Sequence, residues 1–129
     1  MDFRLSPTQQ MIKDKAVDFV RNVCGPMETD WPLNDFDATP QQIKYLRDKF
    51  EEYGFRGLAI PKDAGGKGAG ALAKSLVYEQ LKSSFVTHGN MALWRDYIDP
   101  PPALFRAPQA LRDKYLTPIL NGTKTYHIA

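Results

Sequence analysis

Apolar residues recur along this chain at spacings of three and four, and proline and glycine break the pattern into segments. Met11, Ile12, Ala16, Phe19, Val20 and Val23 alternate with Lys13, Asp14, Asp18 and Arg21. That spacing predicts an amphipathic helix from Pro7 to Val23. Ser6 stands where a capping side chain is wanted, and Pro7 follows at the first helical position, where a missing N–H costs nothing. Gly25-Pro26 is expected to end this helix, with residues 28–37 an irregular connection. Thr39-Pro40 repeats the opening signal. Ile43, Leu46, Phe50 and Tyr53 form the stripe of a second helix, and Gly54 falls where a left-handed C-terminal residue is expected.

The segment 55–61 (FRGLAIP) is short and apolar and is read as extended or a single turn. Residues 64–70 hold four glycines and are read as a loop. A third helix is expected over 71–83, with Leu72, Leu76, Val77 and Leu81 inward. A fourth is expected over 85–96, carrying Val86, Met91, Leu93 and Trp94, and the triple proline 100–102 stops it. Pro108 opens a fifth helix to about Leu120, with Leu111, Tyr115, Leu116 and Ile119 inward and its last turn weakened by Pro118. Asn121-Gly122 marks a turn, and 123–129 (TKTYHIA) resembles the start of a strand. The fold class expected is all-α: a bundle of about five helices over a single domain, 1–129, with a short C-terminal extended segment.

Composition agrees with a folded chain. Of 129 residues, 43% are hydrophobic, 12% aromatic and 25% charged, enough apolar material to build a core and too much for disorder. A net charge of +2 is too small for a nucleic-acid footprint. No apolar run approaches the roughly 20 residues of a spanning helix, and the first ten residues carry no signal-type apolar stretch. The expectation is therefore a cytoplasmic protein with no nucleic-acid or membrane partner. One cysteine and two histidines leave neither an internal disulfide nor a Cys- or His-based metal site.

Candidate chemistry is sparse. Gly65-Gly66-Lys67-Gly68 invites a phosphate-loop reading, but the loop requires Ser or Thr after its Lys, and Gly68 stands there. His88 and His127 have no nucleophile or carboxylate specified beside them. Cys24 lies near a helix end with only Arg21 as a basic neighbour, so a small, half-buried side chain is the simpler reading. Glu51 and Glu52 are adjacent on a helix and diverge by about 100°, so they do not act as a pair. Met91, Trp94, Tyr97 and Ile98 are more informative. Met91, Trp94 and Ile98 share a helical face, and such bulky groups beside a proline-rich stretch suit either plain core or the wall of an apolar ligand slot.

Taken in order, several segments resemble the N-terminal helical domain of flavin-dependent acyl-CoA dehydrogenases. They are Leu5-Ser6 with Gln9, then residues 53–61 (YGFRGLAIP), Gly65-Gly66-Lys67-Gly68, Tyr78-Glu79-Gln80-Leu81, and residues 115–122 (YLTPILNG) before Lys124. The likeness spans Leu5 to Ala129 and rests on order and spacing rather than on one motif. Ala107-Pro108 and Leu111-Arg112 depart from the Gly-Thr/Ser and Gln-Lys usual in the family, and residues 94–102 look like an insertion.

The resemblance implies a domain that forms one wall of an acyl-CoA pocket and packs against a flavin-holding β-domain. The parent reaction would be α,β-dehydrogenation of an acyl-CoA thioester. FAD would serve the complete enzyme, with none expected in this chain alone. No catalytic, cofactor-binding or metal-binding residue is assigned within 1–129; the pocket candidates are Met91, Trp94, Tyr97 and Ile98. Partners implied are the remaining domains or a homologous subunit, the acyl-CoA, and self-association through the face left uncovered. The chain alone is expected to be inactive. The competing expectation is a helical binding or oligomerisation module that keeps the fold without the chemistry.

Overall fold

A computed structural model describes residues 4–30, 39–84, 86 and 99–124. The segment Pro7–Asp30 is helical throughout. Helix α1 (Pro7–Phe19) runs into a π turn (Val20–Cys24) and then into α2 (Gly25–Asp30). Next come α3 (Pro40–Glu52), a 3-10 turn (Lys62–Ala64) and α4 (Gly70–Leu81). Helix α5 (Pro102–Phe105) precedes α6 (Gln109–Leu111), a second π turn (Arg112–Leu116) and α7 (Thr117–Leu120). Among the described residues there is no strand, and the all-α class is the one observed. Of the segment expected to be extended, 123–129, Thr123 and Lys124 are described and are not in a strand, and residues 125–129 lie outside the described residues, as does most of the expected fourth helix.

Both predicted caps form complete capping boxes. The Ser6 hydroxyl accepts from the Gln9 amide at 3.3 Å, and the Ser6 amide donates to Gln9 Oε1 at 2.8 Å. Thr39 and Gln42 do the same at 3.2 and 2.8 Å. Each box occupies amides that a helix start leaves unpaired. Gly54 adopts φ +79°, the left-handed value expected after α3.

Three expectations need correction. Gly25-Pro26 does not end the first helix: Gly25 is right-handed helical (φ −55°), so residues 28–30 belong to α2 rather than to an irregular connection. The Gly25 amide reaches back five residues to the Val20 carbonyl. In a regular α-helix the Pro26 ring would press on the carbonyl four residues earlier; widening the turn relieves that contact without ending the helix. The same device recurs before Pro118, where the Thr117 amide donates to the Arg112 carbonyl. A helix not expected from the sequence, α5, opens at Pro102, while the helix that the triple proline is expected to stop lies, apart from Val86, outside the described residues.

The third correction concerns burial. Met11 (52% exposed), Leu72 (51%), Leu111 (45%) and Tyr115 (44%) were expected inward and are not. Met11 sits one position off the buried 12–16–19–23 stripe, and Leu72 one position off the 73–77–81 stripe. One step on a helix is about 100°, enough to leave the core. Tyr115 likewise sits one position off buried Leu116, and Leu111, just before the second π turn, lies five residues from it.

Helix α1 packs on α4. Ala16 and Ala73 are fully buried in that core, small enough to permit close approach. Phe19 is its centre, meeting Phe50, Tyr53 and Phe55 edge-on at centroid distances of 6.1, 5.2 and 5.8 Å. Edge-to-face contacts at these distances place positive ring edges on negative faces. A second, smaller cluster joins Ile60 and Ala64 to Leu116, with Leu104, Phe105 and Leu120 packed against it.

Candidate functional site

Three of the segments that carried the family resemblance, 53–61, 65–68 and 115–122, meet in space. The chain from Gly57 to Ala69 folds back on itself. The Lys67 amide donates to the Gly57 carbonyl at 3.0 Å, that of Gly68 to Ile60 at 2.8 Å, and that of Ala69 to Leu58 at 2.9 Å. Upstream, the amides of Ala64, Gly65 and Gly66 donate to Pro61, Lys62 and Pro61 at 3.1, 3.0 and 3.0 Å. Gly66 lies so close to Ile60 that an added Cβ would sit 2.6 Å from the Ile60 carbonyl carbon. Gly65 (φ +91°) and Gly57 (φ +64°) leave room for Leu120, whose methyls would lie 3.1 and 3.7 Å from a Cβ at each. Leu120 thus closes the loop from the other side, and Leu116 anchors α7 and the preceding π turn on Ile60.

Two arginines fasten this clasp. The Arg56 side chain is only 10% exposed; its Nε donates to Glu51 Oε2 at 2.8 Å. Its guanidinium lies against Gly122, where a Cβ would be 2.9 Å from Cζ. Arg112 Nη2 donates to the Asp63 carbonyl at 3.2 Å and Nη1 to the Phe105 carbonyl at 3.4 Å. Nothing in the sequence singles out either arginine for this role. An apolar run interrupted by one arginine, as in FRGLAIP, was the available signal for Arg56.

The glycine loop does not fit a phosphate, and hence not the pyrophosphate of a flavin dinucleotide. A phosphate cradle works by aiming unpaired backbone N–H groups at the anion. Here every amide from Ala64 to Ala69 is donated to a carbonyl of the same loop.

The described titratable groups are arranged for packing. Cys24 is fully buried rather than half-buried, and burial pushes its thiol up from 9.0 to about 11; the Glu28 charge adds to this and a hydrogen bond with Ser84 opposes it. Such a thiol is protonated and a poor nucleophile at neutral pH. Ser84, also buried, donates to Glu28 Oε1 at 2.6 Å and ties α2 to the chain leaving α4. Tyr53 donates to Asp18 Oδ2 at 2.6 Å, and that bond is the main reason its phenol is raised from 10.0 to about 12. Lys74 and Asp99 pair at 2.6 Å, joining α4 to the start of the triple-proline segment. Among the described residues no group of His, Cys, Asp and Glu is placed to hold a metal, and no helix is long and apolar enough to cross a membrane. The pocket candidates Met91, Trp94, Tyr97 and Ile98, with His88 and His127, lie outside the described residues.

Comparison with known proteins bears on the same residues. The family model for the acyl-CoA dehydrogenase N-terminal domain matches residues 6–123. The (R)-benzylsuccinyl-CoA dehydrogenase of Thauera aromatica is 30% identical, over 95% of this chain and 32% of its own length. The 3-(aryl)acrylate reductase of Clostridium sporogenes is 27% identical, over 93% of this chain and 30% of its own. A solved structure, of the electron transferring flavoprotein of Acidaminococcus fermentans studied toward a mechanism of flavin-based electron bifurcation, superposes with a TM-score of 0.73. It is 30% identical, over 97% of this chain and 32% of that one. The chain therefore spans about a third of the length of the relatives it matches.

Proposed function

The chain belongs to the acyl-CoA dehydrogenase family through that family's N-terminal domain, and on that premise we propose that it forms one wall of an acyl-CoA pocket in a flavin-dependent enzyme. The reaction would be α,β-dehydrogenation of an acyl-CoA thioester, which calls for a base for the Cα proton and an acceptor for the Cβ hydride. FAD would supply that acceptor in the complete enzyme, and neither it nor the base is assigned to residues described here. The observation that carries the reading is the family match over 6–123. The convergence of residues 57–69, Leu116, Leu120 and Gly122 into one clasp supports it, because it explains why those motifs occur together.

In this reading the clasp is scaffold and the pocket wall lies elsewhere. Met91, Trp94 and Ile98 share a helical face by spacing, with Tyr97 beside them. Trp94 sets the depth of the slot, since an indole shortens a channel by several carbons.

The test uses the flavoenzyme that contains this domain, with acyl-CoA-dependent bleaching of the flavin absorbance followed across a series of chain lengths. Bleaching is expected, and Trp94→Ala is expected to move preference toward longer chains. If Trp94 is core instead, the same change lowers stability by about 3–5 kcal/mol with the chain-length profile unchanged, which rejects the slot. Absence of any bound flavin would reject the enzyme reading altogether.

A further inference from the structure

We draw no further inference here: the strongest candidate, the exposed apolar pair Leu111 and Tyr115 at the second π turn, carries nothing because nothing in the structure shows what covers it.

Discussion

At Gly66 and Gly70, two different requirements for glycine are separated. Gly66 faces the Ile60 backbone, which cannot move aside without breaking the loop's own hydrogen bonds. Gly70 has open space around it but sits at φ +82°. Gly66→Ala is therefore expected to cost about 3 kcal/mol through overpacking, and Gly70→Ala only about 1–2 kcal/mol through left-handed strain. Urea unfolding midpoints of the two variants check the order; equal losses would mean that the clasp yields. Cys24 and Tyr53 make a second residue-scale prediction, at alkaline pH. Both have folded values above their ordinary ones, so the fold favours their protonated forms. Their stabilisation is complete below about pH 9 and is lost as pH rises through the window from 9 to 12. Thermal midpoints should fall across that window, and Tyr53→Phe should flatten its upper part, since Phe has no proton to lose. Native Cys24 should also react slowly with an aromatic disulfide reagent and quickly in denaturant. Rapid reaction of the native thiol would contradict its burial.

Among the elements, the helix starts were legible because capping is local. Ser6 with Gln9, and Thr39 with Gln42, lie three residues apart, and each box closes within one turn. Thr39→Ala should cost about 1 kcal/mol, read by denaturant unfolding. The helix interiors were harder. A Gly-Pro pair normally ends a helix, yet at Gly25-Pro26 one i→i−5 bond lets it continue. Of the stripe expected over 111–119, Leu116 is buried while Leu111 and Tyr115 are exposed, because residues one step apart, such as 115 and 116, cannot share a helix face. Leu116→Ala should cost about 3 kcal/mol, because a buried side chain leaves a cavity, whereas Leu111→Ala should stay within about 0.5 kcal/mol. A similar loss at both positions would mean that Leu111 is as buried as Leu116 in solution.

For the whole molecule, the relevant fact is where the loop amides go. Because those of residues 64–69 are all bonded within the loop, the 129-residue chain is expected to bind FAD weakly or not at all. Titration with FAD, followed by quenching of flavin fluorescence, checks this; stoichiometric binding would show a cradle made by residues not described here. Arg56 gives the same lesson about scale. Its partner Glu51 is five residues away, but the Gly122 it packs against is in the last described turn. Nothing near Arg56 in the sequence indicates Gly122.

The sequence by itself determined the helical class, the two capped starts, the left-handed Gly54 and the glycine loop, because each depends on residues within a turn of one another. The order of its motifs was also enough to indicate the family. Only the tertiary structure decided that residues 57–69 and 116–122 close on each other, that Cys24 is sealed, and that Met11 and Leu72 face outward. Those outcomes depend on contacts such as Arg112 to Asp63 and Ser84 to Glu28, which span 49 and 56 residues. Hydrophobic spacing names a face but not its partner, and burial is settled only when two faces meet.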